Sequence, residues 1–485
     1  MAVSVAASSA GCTRPVERYG LGASSWLFVL CYAASLIFLW RSPFAPEDYL
    51  QKISFITMLW AFSLWICVGH KDLKGCLKDQ RLILAIFSMA MLGSTAWYHL
   101  IMIPAGGAPT PEYGFDTQNY QYYGMYVAEA WRGGDYEFAA IPMARPAVSY
   151  FLAVVYFFFC GDPHLTVMLN GFLLALTGFV VYQSGIRLLG REAGRRGMLL
   201  YIAMAEVFLY TALSAKETLI AFLFVYGVYR GFVFVQGNTF WGFIPVGVCT
   251  VILALLRYQT AFLLVFSFVV SVVVMRRSSA LRHVLMAALG VVALVAALKT
   301  DWGFVGALRG AEPVEELASM MDRTASYAEE GTALWRVKQY GGSATSTLFS
   351  MLHILAFVFE GSINEIWQFD WWMQEDWYVK FLFFVSALAI TILLPAVVAS
   401  MIRVVREQSG ARLYALALFF GLVGLAYWFT EITYARQRLP LLAPYVVLAA
   451  HEMERVTQRV RRRLWVLGGI LLVGGSLAYE YLLRG

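Results

Sequence analysis

Residues 113–146, YGFDTQNYQYYGMYVAEAWRGGDYEFAAIPMARP, form the first long polar interruption in a chain of apolar segments. The stretch carries Asp116 and Asp135 in aromatic surroundings, together with six tyrosines and one tryptophan. It closes on Arg145 and Pro146, at the start of another apolar run. A loop of this length and aromatic content between apolar segments is more typical of a functional site than of a simple connector.

Composition indicates the class of protein around this stretch. Of the 485 residues, 60% are hydrophobic and only 14% are charged, which is too little polar surface for a water-soluble chain of this length. The net charge of +6 comes from short basic clusters between apolar runs, a pattern that orients membrane helices rather than one that binds nucleic acid. The six cysteines are scattered and predict neither a disulfide framework nor a zinc site.

The apolar runs predict an all-α polytopic membrane protein, because a membrane span needs about 20 apolar residues. Two further apolar runs, 147–160 and 347–359, are too short to span and predict re-entrant or interfacial helices. The predicted spans, about 13 in number, are 23–40, 52–69, 82–102, 164–187, 197–213, 217–236, 240–257, 259–275, 281–299, 379–402, 412–430, 435–450 and 464–483.

The basic clusters predict the topology. With a cytoplasmic N-terminus and thirteen spans, the clusters near residues 71–81, 187–196, 276–282, 403–412 and 455–463 all fall on the cytoplasmic side. Two large loops with short juxtamembrane helices then face outside. The predicted organisation is 1–102, N-terminal helices; 103–163, first external loop; 164–299, central bundle; 300–378, second external loop; and 379–485, C-terminal helices.

The second external loop is acidic and rich in tryptophan. It holds twelve acidic and four basic residues and six of the fifteen tryptophans, including Trp371 and Trp372. Tryptophan near membrane ends is often an interfacial anchor. Indole and phenol rings beside carboxylates also suit carbohydrate, because ring faces stack on sugar C–H surfaces while carboxylates accept hydroxyl protons. On this second interpretation the candidates for sugar stacking are Tyr113, Tyr120, Trp371 and Trp372.

Charged residues also lie where predicted spans meet the outer side. They are Lys216, Glu217, Arg257, Arg436 and Arg438. Ionisable groups at membrane depth need a partner, a water-filled cavity or a ligand. Taken singly, each of the four basic side chains could extend to lipid headgroups. Because all of them lie on the same predicted side as Asp116, we expect them to form the wall of one cavity. Glu206, inside the span 197–213, either lines a polar cavity or pairs with a neighbouring helix.

The order of these features resembles the GT-C superfamily of membrane glycosyltransferases. The resemblance covers about residues 100–300 and 410–450. Asp116 in GFDTQNYQYYG matches the acid of the first external loop, ARPAVSYFLAVVYFFFCG matches the segment that follows it, and Glu217 in TALSAKETLIAFLF matches a second external acid. YARQRLPLLAPYVVLAA is similar to the arginine and proline pattern of a late span. Here the loop follows the third predicted span rather than the first, and no Asp-x-Asp follows Asp116.

The resemblance implies transfer of a sugar from a polyprenyl-phosphate-linked donor to an acceptor glycan or lipid on the external face. Asp116 is the expected base, and Glu217 a second catalytic residue. Glu217 has two alternative roles. It binds a divalent cation, Mg²⁺ or Mn²⁺, together with Asp116, or it forms an ion pair with Lys216 or Arg257. The donor phosphate is expected to bind to cationic side chains, namely Arg145, Lys216, Arg257, Arg436 and Arg438.

Two other functions are consistent with the sequence. A polysaccharide polymerase or ligase would use lipid-linked oligosaccharide and arginine pairs such as Arg436 and Arg438. A lipid-linked sugar transporter would show ionisable groups on broken helices and an internal repeat, and only Glu206 lies near mid-membrane. The expected partners are the lipid donor, the acceptor and membrane lipids, without nucleic acid. The simplest location is a bacterial inner membrane, with the active site facing outside.

Overall fold

The fold is that of a computed structural model, which describes residues 22–42, 48–102, 111–136, 147–212, 216–237, 243–274, 377–407, 411–428 and 434–483. Within these ranges every regular element is a helix, which agrees with the all-α membrane class predicted from composition. By length and composition, six segments there are long and apolar enough to cross a membrane: Tyr49–Gly69, Leu77–Ile101, Pro163–Leu189, Glu217–Gln236, Ile244–Ser271 and Phe384–Arg406. Of these, Ile244–Ser271 is not one straight helix, because its backbone leaves helical geometry at Arg257. The count of thirteen spans stays a prediction, and the predicted span 281–299 lies outside the described residues.

The described helices follow the apolar runs of the sequence closely. A π-helical turn, Tyr98–Met102, extends the third of them. In chain order the helices are α1 Gly22–Trp40, α2 Tyr49–Gly69, α3 Leu77–Trp97, α4 Pro111–Arg132, α5 Ala147–Phe158, α6 Pro163–Leu189, α7 Arg191–Ile202, α8 Ala205–Ala212, α9 Glu217–Gly237, α10 Ile244–Val274, α11 Trp377–Arg406, α12 Arg412–Trp428, α13 Tyr434–Arg455 and α14 Gln458–Leu483.

Helix α6 lies at the centre of the bundle and is buried along almost its whole length. It packs against α3, α7 and α9. Glycine lets two of these helices approach closely: a Cβ atom at Gly171 would lie 2.8 Å from the carbonyl oxygen of Ala90 in α3, and one at Gly185 would lie 2.5 Å from Cα of Gly194 in α7. Small residues at such crossings are the usual basis of tight packing between membrane helices.

The polar stretch that opens the predicted first external loop is a helix, α4. Tyr120, Val127 and Ala128 are buried at helical spacing, so α4 presents an apolar stripe. That stripe packs on α5, where a Cβ atom at Gly124 would lie 2.9 Å from Cβ of Leu152. Helix α5 has 12 residues, about 18 Å by helical rise, which is too short to cross a bilayer and fits the prediction for the run 147–160.

The predicted span 197–213 is two helices, α7 and α8, with a break at Ala203 and Met204. A tertiary contact fixes the start of α8: the backbone N–H of Glu206 donates to Ser386 Oγ of α11 at 2.9 Å. Hydropathy did not separate the two helices, because Glu206 is the one charged residue in an otherwise apolar run.

Helix α10 reverses direction at Arg257, whose backbone is extended and not helical (φ −161°, ψ 92°). The rings of Phe243, just before α10, and Phe268 lie 5.9 Å apart, whereas a straight helix would separate them by roughly 37 Å. Cys249 and Leu264 both lie beside Gly227 of α9. The two predicted segments 240–257 and 259–275 therefore form a helical hairpin with Arg257 at its tip.

One end of the bundle is rich in arginine. Asp79, at the start of α3, is fully buried and accepts hydrogen bonds from two arginines of α7, Arg191 at 2.8 Å and Arg195 at 2.5 Å. The hydroxyl of Tyr182, near the end of α6, donates to the same carboxylate at 2.6 Å. These contacts bring the basic stretches 71–81 and 187–196 to one end of the molecule.

Two more basic stretches meet at this end. Arg196 of α7 forms an ion pair with Glu454 of α13, and Arg403 of α11 forms one with Glu452 at 2.8 Å. The stretches 187–196, 403–412 and 455–463 therefore lie together, as the topology predicted. The arginine-rich end is the name used below for this end of the bundle; the stretch 276–282 lies outside the described residues.

Candidate functional site

Away from the arginine-rich end, Lys216 binds the aromatic helix α4. Its Nζ atom donates to the hydroxyl of Tyr120 at 2.6 Å and lies 4.9 Å from the centroid of the same ring. Both residues are buried, with relative exposures of 7% and 5%. The ammonium group therefore points into the protein, and does not extend to lipid headgroups.

Arg257, at the tip of the α10 hairpin, pairs with the first residue of α9. Its Nη2 atom donates to Oε1 of Glu217 at 2.9 Å, and the two side chains are 8% and 3% exposed. Glu217 stands in the first helical turn, where backbone N–H groups favour a negative side chain. This is the ion pair that the sequence offered as the alternative to a metal site.

These two contacts belong to one site, because Lys216 and Glu217 are adjacent in the chain. We refer to Tyr120, Lys216, Glu217 and Arg257 as the Lys216 cluster. Three elements converge there: the first-loop helix α4, the start of α9 and the tip of the α10 hairpin. The cluster holds two basic side chains and one carboxylate in a buried setting, and buried ammonium and guanidinium groups are typical partners of anionic ligands.

The Lys216 cluster lies far from the arginine-rich end. Arg187, in the last turn of α6, donates from Nε to the hydroxyl of Tyr229 at 3.0 Å. Tyr229 is twelve residues after Glu217 along α9, which corresponds to about 18 Å. The cluster is thus at the end of α9 that the basic residues predict to face outside.

Arg438 does not join the Lys216 cluster through any described contact. Its Nε atom lies 3.0 Å from each carboxylate oxygen of Glu206, and Nη2 also donates to that carboxylate. Both side chains are 0% exposed. The pair joins α13 to α8, which is the second of the two alternatives predicted for Glu206. Its geometry is that of a structural ion pair, and phosphate binding by Arg438 stays a prediction.

Several predicted site residues fall outside what the structure describes. The backbone at Tyr113 and Asp116 belongs to α4 and that of Arg436 to α13, but their side chains lie outside the described residues. Arg145, Trp371 and Trp372 lie entirely outside the described ranges. Their roles stay predictions.

Of the two residues predicted to hold a divalent cation, only Glu217 has a described side chain. Of the two predicted ligands, Glu217 is bonded to a guanidinium group, which is a poor neighbour for Mg²⁺ or Mn²⁺. In the described ranges no three His, Cys, Asp or Glu side chains converge as a metal site would require. The divalent cation held by Asp116 and Glu217 stays a prediction.

Two polar residues beside the Lys216 cluster escaped the sequence analysis. Thr218 follows Glu217, and Gln259 lies two residues after Arg257; both are buried. Thr218 Oγ1 and Gln259 Oε1 have no hydrogen-bond partner among the described residues. A buried polar atom left in this way costs about 1–3 kcal/mol, so each is a candidate for binding a polar substrate or water. Their position next to charged residues was the signal available in the sequence.

A second buried polar group closes the first external loop. Asp162, the N-cap of α6, binds Lys52 Nζ at 2.8 Å, Ser42 Oγ at 2.9 Å and the backbone N–H of His164 at 2.8 Å. Nδ1 of His164 lies 2.6 Å from Nε2 of His99. This Asp162 network ties the end of the loop to α2 and α3. The sequence signal was Asp162 before Pro163, a typical helix start.

Comparison of the chain with family models, curated proteins and solved structures finds no match. A function for this chain is therefore inferred from the chemistry of its own residues.

Proposed function

We propose that the protein is a membrane glycosyltransferase of the GT-C type, which moves a sugar from a polyprenyl-phosphate-linked donor to an acceptor glycan or lipid on the external face. The observation that carries the proposal is the Lys216 cluster. It combines a buried ammonium group, a buried guanidinium group and an aromatic ring at the end of the bundle predicted to face outside. A lipid phosphate with a sugar attached offers a negative charge and a stacking surface to match them.

The cations are assigned to the leaving group. In the transfer, the acceptor hydroxyl attacks the anomeric carbon and the bond from that carbon to the phosphate oxygen breaks. The phosphate departs with the bonding electron pair, so negative charge grows on it in the transition state. Arg257 and Lys216 stabilise this charge from a setting with little water, where such interactions are strongest.

Asp116 is assigned to the acceptor. It takes the proton that the acceptor hydroxyl loses as the new glycosidic bond forms. Position 116 is four residues before Tyr120 on α4, so the two positions lie on the same face of the helix. This spacing supports a base one turn from the ring that contacts Lys216. Tyr120 then has two roles, because it holds the ammonium group and offers an aromatic surface to the sugar.

The competing functions find less support. A polymerase or ligase based on Arg436 and Arg438 finds less support because Arg438 is 0% exposed and its Nε atom lies 3.0 Å from both carboxylate oxygens of Glu206. The break between α7 and α8 next to Glu206 is a feature that a transporter would show. Against that function, the carboxylate of Glu206 is fully buried and ion-paired, so it is not open to a transport pathway.

A transfer assay tests the proposal. The purified protein in detergent is supplied with radiolabelled polyprenyl-phosphate sugars and a mixture of glycan and lipid acceptors. Wild type is expected to transfer label, whereas Asp116→Asn and Arg257→Gln should lose at least about 100-fold in rate. Arg403→Gln is the matched control, since it breaks an arginine–glutamate pair at the arginine-rich end and should transfer at the wild-type rate. Equal rates for all four proteins would remove Asp116 and Arg257 from the mechanism.

A further inference from the structure

Glu217 occupies the hydrogen-bonding position on Arg257 that a donor phosphate would need. The contact is direct, at 2.9 Å from Nη2 to Oε1, and the pair is almost completely buried. A guanidinium group binds carboxylate and phosphate oxygens in the same way, through N–H groups that point at negative oxygens. An internal carboxylate and a lipid phosphate therefore compete for one side chain.

We infer that Glu217 is an internal counter-ion of Arg257 that the phosphate of the lipid donor displaces. This inference rests on the proposed function, since it needs a lipid phosphate as substrate. In the resting site the carboxylate neutralises a buried guanidinium, which without a partner would be costly. When the phosphate binds, it takes the place of the Glu217 carboxylate on the guanidinium group, and Arg257 keeps a negative partner.

The exchange gives the site an order of binding. Because the donor phosphate takes the place of Glu217 on Arg257, we expect the carboxylate to meet the hydroxyl groups of an acceptor after the donor has bound. Its position favours this exchange, because it stands at the N-terminus of α9, where the helix dipole continues to stabilise its charge. Arg257 lies at the tip of the hairpin and outside helical geometry, so its side chain is not confined to a helix surface.

Binding of polyprenyl phosphate tests the inference directly. The affinity of the full-length protein in detergent is measured by native mass spectrometry for polyprenyl phosphate and for the matched polyprenol without phosphate. Wild type is expected to prefer the phosphate. Glu217→Gln should bind it at least about threefold more tightly than wild type, because the competing charge is gone. Arg257→Gln should bind it at least about tenfold more weakly. Affinity for the polyprenol should be the same in all three.

Two further proteins keep the test decisive. Glu452→Gln removes the carboxylate of the Arg403 pair at the arginine-rich end and should bind polyprenyl phosphate as wild type does. Glu217→Asp retains the charge but shortens the side chain by one methylene, so its affinity should lie between those of wild type and Glu217→Gln. If Glu217→Gln does not fold, Glu217→Asp alone decides, and an affinity no higher than that of wild type overturns the inference.

Thermal unfolding gives a second signature. Polyprenyl phosphate should raise the unfolding temperature of Glu217→Gln more than that of wild type, because it supplies the missing negative charge beside Arg257. In the transfer assay the same variant should show a lower KM for the donor together with a lower kcat. An equal thermal shift in both proteins, or a higher donor KM in the variant, would contradict the displacement.

The outcomes separate the inference from the proposed function. If wild type prefers the phosphate but Glu217→Gln binds it no more tightly, the displacement is wrong and the glycosyltransferase proposal stands. If the affinities follow the expected order but no sugar is transferred, the displacement holds and the proposed function is wrong. If wild type does not distinguish polyprenyl phosphate from polyprenol, both are wrong.

Discussion

Replacing Arg438 by methionine should destabilise the helical bundle by about 3–5 kcal/mol, because it leaves the carboxylate of Glu206 buried without its partner. The estimate follows from the geometry: both side chains are 0% exposed, and Nε of Arg438 lies 3.0 Å from each carboxylate oxygen. Glu206→Met should cost a similar amount, because it leaves the guanidinium group of Arg438 buried without its partner. The double variant with methionine at both positions should recover most of the loss, since it buries no charge.

Unfolding by SDS in mixed micelles, followed by tryptophan fluorescence, measures these free energies. The four proteins form a double-mutant cycle, whose interaction energy isolates the pair. Arg196→Met is the control, because its partner Glu454 is partly exposed and such a pair contributes about 1 kcal/mol or less. The reasoning is refuted if Arg438→Met unfolds within about 1 kcal/mol of wild type and instead loses affinity for polyprenyl phosphate. Arg438 would then be a phosphate ligand, as the sequence predicted.

Three other predictions follow from contacts elsewhere in the bundle. Gly185→Ala should cost about 1–3 kcal/mol of unfolding free energy, because the new Cβ atom would lie 2.5 Å from the backbone of α7. Gly469→Ala is the control and should be neutral, since no atom lies within 4 Å of the added Cβ. Equal costs for the two variants would contradict the close helix crossing. Lys52→Met should cost about 3–5 kcal/mol of unfolding free energy, since it removes the ammonium group 2.8 Å from the fully buried carboxylate of Asp162. In the same SDS titration, a loss below about 1 kcal/mol would show that this ion pair does not stabilise the bundle. Arg455 lowers the pKa of the Glu407 carboxyl below its ordinary value of 4.5 by hydrogen bonding to it, so the stabilisation is complete at neutral pH and is lost as the pH falls through the lowered pKa. Between about pH 6 and pH 3, the unfolding free energy of wild type should therefore fall by more than that of Glu407→Gln. Parallel plots of unfolding free energy against pH for the two proteins would contradict this.

Hydropathy predicted the described spans well where each apolar run is one straight helix. The run 52–69 corresponds to α2 and the run 164–187 to α6, within a few residues at each end. It also separated the two halves of α10 at Arg257, because a charged residue interrupts the apolar run there. The break between α7 and α8 was not predicted: the backbone of Glu206 forms a hydrogen bond to α11 there, and the charge of Glu206 alone did not distinguish a broken span from a continuous one.

For the candidate site, the sequence predicted where charged residues lie along the bundle better than it predicted which residues they pair with. Lys216, Glu217 and Arg257 were singled out because each follows an apolar run on the predicted outer side, and the structure brings them together with Tyr120. Arg438 met the same criterion, but it pairs with Glu206 instead. A charge at the end of an apolar run predicts the depth of a residue along the bundle. Its partner depends on how the helices are arranged around it, which one sequence does not state.

The choice of donor tests the central claim most directly. Wild-type protein in detergent receives, in separate reactions, a labelled polyprenyl-phosphate monosaccharide and a labelled polyprenyl-diphosphate oligosaccharide, each with the same acceptor mixture. A glycosyltransferase of the proposed type should transfer label from the monosaccharide donor and none from the oligosaccharide donor. Transfer from the oligosaccharide donor alone would identify a polymerase or ligase instead, and no transfer from either donor would contradict the proposed glycosyltransferase activity.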